Sequence, residues 1–102
     1  MKIYIQWKFR DGPWGGGNQF LKALRKELIR TNCYTENPEE SDVILFNSHH
    51  HLDEIVKLRR IFQGKIFVHR VDGPMSYRGE EGEKIDRKIF KINQLVADGT
   101  VF

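Results

Sequence analysis

The chain has 102 residues, of which 39% are hydrophobic and 30% are charged, and its 17 basic residues exceed the 14 acidic residues by three. This length predicts one domain, and the scattered basic residues argue against nucleic-acid binding, which needs a concentrated basic stripe. No apolar run approaches the roughly 20 residues of a membrane span. The single cysteine, Cys33, excludes an internal disulfide and favours a reducing, cytoplasmic location.

The first half of the chain predicts a strand, a helix and a short second strand. Residues 2–9 alternate between apolar and polar side chains, which is typical of a strand. Residues 11–17, with the sequence DGPWGGG, form a breaker-rich loop. Asn18 is a candidate cap for the following helix, which carries an apolar stripe and ends near residue 32. Residues 33–35 then suit a short strand, and a polar loop follows.

The second half repeats this alternation. Strands are predicted at residues 43–46 and 66–68 and from Thr100, and helices with apolar stripes are predicted at 52–62 and 85–96. Gly64 closes the first of these helices, and a second breaker-rich loop runs over residues 72–82. Together the elements predict an α/β fold: a Rossmann-like, doubly wound parallel sheet of four to five strands with about three helices.

Such a sheet binds ligands beyond the carboxyl ends of its strands, where the strand order reverses. With the first strand at the centre, three loops meet there: residues 10–17, 47–50 and 69–74. Most of the unusual residues of this chain lie in these loops, so we expect the functional site there.

The glycine-rich loop is the first candidate. Gly15, Gly16 and Gly17 open a helix, where backbone N–H groups can approach an anion, and this predicts a cradle for a phosphate or a sugar hydroxyl. The alternative is a turn that needs positive φ. Trp14, inside the same loop, is a candidate to stack on a ligand ring.

The histidines are the second candidates. Three adjacent side chains, His49 to His51, cannot all bind one ion, and no other group has ligand spacing, so no metal is predicted. Instead, we expect His49 and Asn47 to line the crevice. His69, three residues before Asp72, is a candidate acid or base, or a donor to a substrate oxygen; the alternative is a structurally hydrogen-bonded histidine at a strand end.

A dinucleotide-binding interpretation also stays open. Gly15 and Gly17 fit the first two positions of G-x-G-x-x-G, although Phe20 occupies the third. Glu36 falls near the position that binds a ribose in such folds. An NAD-binding fragment is therefore a further alternative.

Three segments, taken in order, resemble the N-terminal domain of GT-B-fold glycosyltransferases of the retaining group 1 (family 4) type. They are residues 11–20 (DGPWGGGNQF), 41–48 (SDVILFNS) and 69–74 (HRVDGP). Residues 97–102 (ADGTVF) are similar to the strand that leads toward the second domain in those enzymes. The resemblance spans nearly the whole chain.

The resemblance implies a hexosyl transferase of carbohydrate biosynthesis. It would move a sugar from a nucleotide sugar, its donor substrate, to a sugar or glycan acceptor, with no cofactor and no metal. The resemblance places the glycine loop against the donor diphosphate and the acceptor, His69 against the transferring sugar, and Asp72 at the edge of that pocket. The predicted catalytic residues are His69 and Asp72, and the predicted substrate-binding residues are Trp14, Gly15, Gly16, Gly17, Asn18, Asn47 and His49.

The resemblance also implies half of an enzyme. Family members hold the nucleotide sugar mainly through a C-terminal domain with two glutamates eight positions apart, and this sequence has no glutamate pair at that spacing. We therefore expect residues 1–102 to form one acceptor-side domain, inactive alone, that needs the C-terminal domain in cis or in trans. The alternative is a non-catalytic nucleotide- or sugar-phosphate-binding module. An open sheet edge also predicts a homodimer, and a peripheral position at the membrane is a variant of the cytoplasmic location.

Overall fold

The computed structural model describes residues 1–12, 15–73 and 75–102. A parallel β-sheet forms its centre, and helices pack on both faces, which confirms the predicted α/β class. The strands are β1 (Ile3–Gln6), β2 (Val43–Asn47), β3 (Ile66–Arg70) and β4 (Gly99–Val101), and the α-helices are α1 (Gly16–Arg30), α2 (Leu52–Ile61) and α3 (Glu80–Val96). Short 3₁₀ helices span Pro38–Glu40 and Ser76–Arg78.

The strands lie in the order β1-β2-β3-β4, and every neighbouring pair is parallel. The first strand therefore lies at the edge of the four-stranded sheet and not at its centre. The predicted strand at residues 33–35 is reduced to one parallel bridge, between Ile3 and Tyr34, on the outer side of β1. Because the chain leaves β1 toward this bridge and returns to β2 on the other side, the strand order still reverses at β1.

The two faces of the sheet carry different helices. Leu45 of β2 packs with Leu21 of α1 on one face. Its neighbour Phe46 points to the opposite face and packs with Ile55 of α2 and Ile92 of α3. Side chains of a strand alternate between the two faces, so a strand covered on both sides needs the continuous apolar sequence that β2 shows.

Local hydrogen bonds end β1 earlier than its alternating sequence predicts. The N–H of Trp7 donates to the carbonyl oxygen of Ile5, 3.0 Å away, so the chain turns immediately after Gln6. Trp7 therefore leaves the sheet at its carboxyl end. This turn brings the residues after β1 toward the loops that follow β2 and β3.

Two helices begin earlier than predicted. The cap of α1 is Gly15, with φ of +95°, and not Asn18, whose side chain turns inward. The cap of α3 is Gly79, with φ of +79°, so Gly82 lies inside the helix and not in the preceding loop. A Cβ at Gly82 would lie 1.6 Å from the carbonyl oxygen of Met75, so this glycine lets the segment before α3 fold back onto the helix.

No helix in the described part of the chain is both long enough and apolar enough to cross a bilayer.

Candidate functional site

The segments that follow β1, β2 and β3 enclose a cleft at the carboxyl end of the sheet. Its volume is about 450 Å³, within the range of roughly 300–1,000 Å³ that small-molecule sites occupy. We call it the loop cleft. It is lined by Trp7, Lys8, Arg10, Gly15, Gly16, Gly17, Asn18, His49, His50, His51, Asp72, Met75 and Arg78.

One wall of the cleft is the first turn of α1. Within the described part of the chain no side chain caps this helix, and its first turn contains no acidic residue. The first helical hydrogen bond runs from the N–H of Gln19 to the carbonyl oxygen of Gly15, at 3.2 Å. The N–H groups before Gln19 lie at the positive end of the helix dipole, where an α-helix offers donors that it cannot use itself. This wall therefore suits an anion.

The three glycines of that turn have different surroundings. Gly15 needs its positive φ to start the helix. A Cβ at Gly17 would approach Nδ2 of Asn47 to 3.2 Å, so Gly17 allows α1 to pack closely against the end of β2. A Cβ at Gly16 would have no heavy atom of the described residues within 4 Å. Neither backbone conformation nor packing therefore requires glycine at position 16.

Asn18 links the segment that follows β1 to α1 through hydrogen bonds. Its Oδ1 accepts hydrogen bonds from Nε1 of Trp7 and from the backbone N–H of Arg10, each at 3.1 Å, and its Nδ2 donates to the carbonyl oxygen of Arg10 at 3.0 Å. The Asn18 side chain is 2% exposed. Its observed contacts therefore position the Trp7 ring and the Arg10 backbone at the edge of the cleft.

The base of the cleft is a hydrogen-bonded group that we call the Asp72 junction: Asn47, Ser48, Arg70 and Asp72. Oδ1 of Asp72 accepts a hydrogen bond from Arg70 at 2.6 Å, while Oδ2 accepts from the Ser48 hydroxyl at 2.9 Å and from Nδ2 of Asn47 at 3.3 Å. The Ser48 oxygen in turn accepts from the backbone N–H of Asp72 at 2.9 Å. Both carboxylate oxygens are thus engaged in joining the ends of β2 and β3.

Arg70 extends this junction toward α1. The same guanidinium nitrogen that binds Asp72 also donates to Oδ1 of Asn47 at 2.8 Å. The guanidinium carbon lies 4.2 Å from the centre of the Phe20 ring, a cation–π arrangement. Ser48 adopts φ of +43° to take its place in the junction. The junction therefore ties together α1, β2 and β3 below the cleft.

A further part of the cleft lining consists of His49, His50 and His51, which we call the histidine wall. The rings of His49 and His50 lie 4.2 Å apart, and Trp7 meets the His50 ring edge-on at 5.0 Å. Burial lowers the pKa of His49, and burial together with the neighbouring histidines lowers the pKa of His50. The buried Nδ1 of His49 has no hydrogen-bond partner among the described residues.

His69 does not line the loop cleft. It is fully buried on the α2–α3 face, stacked on Phe46 with 4.3 Å between ring centres. Its Nε2 donates to the carbonyl oxygen of Ser48 at 2.9 Å, and its Nδ1 accepts from Nδ2 of Asn93 at 3.1 Å. Burial lowers the pKa of His69, so this ring is held neutral. The geometry agrees with the alternative of a structurally hydrogen-bonded histidine at a strand end.

The structure thus brings together Gly15, Gly16, Gly17, Asn18, His49 and Asp72 around one cleft. Asn47 lies directly beneath it, whereas the predicted ring-stacking residue Trp14 lies outside the described residues. No group of three or more His, Cys, Asp or Glu side chains in the described ranges is placed to hold a metal ion.

Several cleft residues were missed by sequence reasoning. Trp7 continues the apolar side of the β1 pattern, which favours a core position; it does pack against the core on the α1 face, and the turn after Gln6 also brings it to the cleft. Lys8, Arg10 and Arg78 resemble ordinary surface cations in the sequence. For Arg10 and Arg78 the available signal was their position in loops that follow predicted strands, whereas Lys8 lies within the strand predicted at residues 2–9.

Comparison of the chain with protein families, with curated proteins and with solved structures found no significant match. The function is therefore inferred from the geometry of the cleft and from the sequence resemblance.

Proposed function

We propose that the loop cleft binds the phosphate groups of a nucleotide sugar or sugar phosphate, and that the chain is the acceptor-side half of a retaining group 1 (family 4) glycosyltransferase. The observation that carries this proposal is the uncapped first turn of α1, which lines the same cleft as Lys8, Arg10 and Arg78. Helix N-termini and cations both stabilise phosphate oxygens.

The shape of the cleft supports a ligand larger than a single phosphate. Its volume of about 450 Å³ also includes space beside the Trp7 ring and the histidine wall. Trp7 is held in place by the hydrogen bond from its Nε1 to Asn18. An indole fixed at the edge of a polar cleft suits the apolar face of a sugar or a base, as tryptophan does when it combines ring contact with a hydrogen bond.

The described residues contribute binding and orientation to the proposed transfer. The glycine turn offers backbone donors to the phosphates, and the cations offset the charge that develops on a departing diphosphate. The Asp72 junction holds α1 and the ends of β2 and β3 in fixed positions relative to one another. In this proposal Asp72 acts through the position of its neighbours, since both of its oxygens already accept hydrogen bonds.

A non-catalytic binding module is the second candidate, and the position of His69 favours it. Both ring nitrogens of His69 are engaged inside the fold, so His69 does not reach the cleft as the predicted acid or base requires. The two candidates share the phosphate site and differ in whether a second domain completes a reaction.

Calorimetric titration tests the site itself, and turnover separates the two candidates. We expect UDP-glucose and glucose 1-phosphate to bind, and free glucose to bind much more weakly, because the cleft recognises phosphate. No turnover of UDP-glucose is expected from the chain alone. Addition of a glutamate-bearing C-terminal domain is expected to restore transfer if the glycosyltransferase proposal is correct.

The variant Arg78→Gln tests the place of binding. Removal of one cleft cation is expected to weaken UDP-glucose binding roughly two- to threefold, as for a partly screened ion pair. Arg60→Gln, on the exposed end of α2, is the matched control and should bind as wild type. Equal affinities of all three proteins, or tight binding of free glucose, would contradict the phosphate site.

We also propose that the chain self-associates, because a strand edge beside an apolar side chain is exposed. Strand β4 pairs with β3 along one edge, and Phe102 beside it is 96% exposed. An exposed strand edge next to an apolar side chain favours pairing with another chain.

A further inference from the structure

The histidine wall has an arrangement that ordinary packing does not require. Three imidazole rings follow one another along the cleft, and Trp7 meets the edges of two of them, His50 at 5.0 Å and His51 at 5.6 Å. The Nδ1 atom of His49 is buried and has no partner among the described residues. The wall therefore contains a buried imidazole nitrogen that forms no hydrogen bond with the described residues.

The other charged side chains that line the cleft are mostly cations. Lys8 and Arg10 follow β1, and Arg78 precedes α3. The carboxylate among them, Asp72, already forms an ion pair with Arg70 at 2.6 Å. Protonation of a wall histidine would place another positive charge next to these cations.

The groups behind the wall are balanced in sign. His49 and His51 also border a second pocket, between α2 and α3, that contains Asp53 and Glu54 from α2 and Lys88 and Lys91 from α3. Two acidic and two basic side chains offset one another there. The charge of a ligand inside the loop cleft is therefore the factor that changes the balance around the wall.

We propose that the histidine wall takes up a proton when a phosphate-class anion binds in the loop cleft, so that the cleft binds such anions more tightly in mildly acidic than in mildly basic solution. This inference rests on the proposed phosphate site and adds the regulation of that site by pH.

The sign of the effect follows from linkage. Without ligand, burial lowers the pKa of His49 and of His50, so both rings are neutral at neutral pH. A bound dianion within a few ångströms favours the protonated ring and raises the pKa in the complex. Affinity then increases as the pH falls through the pKa of the complex and levels off below the pKa of the free protein.

Isothermal titration with two probes of constant charge tests this directly. Sulfate and UDP-glucose both remain dianions between about pH 5.5 and pH 8. A change in affinity over that range therefore reflects protonation of the protein and not of the ligand. We expect each to bind about three- to tenfold more tightly at the lower pH, since a pKa rise of one unit gives at most a tenfold change per histidine.

The variants His49→Gln and His50→Gln, and their combination, are expected to flatten the pH profile, whatever affinity each variant has at the higher pH. Lys57→Gln is the matched control for a general loss of positive charge, because Lys57 lies on the exposed side of α2. Its profile should match that of wild type.

NMR titration of the histidine Cε1–H signals supplies a second readout. The chain has four histidines, and His69, which lies outside the cleft, is the internal control. Sulfate should raise the pKa of His49 or His50 and leave that of His69 unchanged. Binding with a flat pH profile, or an unchanged profile in the double variant, would overturn this inference alone. No binding of either probe at any pH would overturn the proposed phosphate site as well.

Discussion

Two neighbouring regions of the loop cleft differ in how their polar groups are used. In the Asp72 junction, the carboxylate accepts hydrogen bonds from Asn47, Ser48 and Arg70, so both of its oxygens are engaged by the protein. At the first turn of α1, no side chain of the described residues caps the helix. A buried carboxylate without partners would destabilise the fold, whereas donors at an exposed helix end remain available to a ligand.

This difference separates residues that maintain the cleft from residues that contact its ligand. Substitutions in the junction should mainly lower the free energy of unfolding. Substitutions at the first turn of α1 should mainly change affinity. Three variants, in order of decreasing expected effect, test whether the two regions are distinct in this way.

The largest effect is expected for Asp72→Ala. Removal of the carboxylate leaves Arg70 without its ion pair and the Ser48 hydroxyl without its acceptor, and each loss of a partner at a partly buried site is costly. We expect chemical denaturation to show a loss of about 2–3 kcal/mol in the free energy of unfolding.

Two controls sharpen this result. Asp72→Asn keeps an oxygen and most of the side-chain shape, so its loss should be clearly smaller. Asp42→Ala removes an exposed carboxylate that accepts one backbone hydrogen bond, from Lys2, and should cost under about 1 kcal/mol. A loss for Asp72→Ala no larger than that for Asp42→Ala would mean that the junction does not hold the strand ends together.

The sequence could predict the elements but not the direction of every side chain. Apolar periodicity places β2, α2 and the C-terminal part of α3 correctly, because burial of one face or of both faces dictates those patterns. For His69, the alternation of side chains along β3 already indicates which face of the sheet the residue occupies. It puts His69 on the same face as Phe67, which packs toward α2 and α3, and puts Arg70 on the face of α1.

Other features depend on contacts between distant residues and were not predictable. The start of α3 depends on Gly82, whose lack of a Cβ admits the Met75 carbonyl oxygen. A glycine in a polar segment was interpreted as part of a loop, because its role appears only when the chain folds back. Likewise, the inward hydrogen bonds of Asn18 depend on a turn after β1 that the alternating sequence does not show.

A smaller effect is expected for Gly17→Ala, at the boundary between the two regions. The added methyl would lie 3.2 Å from Nδ2 of Asn47, which is tighter than an ordinary carbon contact, so the junction must shift to admit it. We expect the free energy of unfolding to fall by about 1–2 kcal/mol, as for other overpacked sites. Thermal denaturation followed by circular dichroism measures this, and an unchanged melting temperature would contradict close packing of α1 on β2.

The smallest change in stability and the most informative change in affinity are expected for Gly16→Ala. A methyl at this position meets no atom within 4 Å in the ranges that the structure describes, and the residue is helical, so alanine should leave the folded protein as stable as wild type or more stable by up to about 1 kcal/mol. Gly64→Ala is the matched control, because its methyl is equally free of contacts and Gly64 lies outside the cleft.

If the first turn of α1 binds phosphate, the Gly16 methyl projects among the backbone donors and keeps the anion at a greater distance. UDP-glucose affinity should then fall about fivefold, or close to 1 kcal/mol, in Gly16→Ala and stay unchanged in Gly64→Ala. Both variants gain the same methyl at a position without contacts. A difference in affinity between them therefore arises from contact with the ligand and not from a change in the fold. Equal affinity of both variants and wild type would show that the ligand does not contact this turn, and the phosphate site would have to lie elsewhere in the chain.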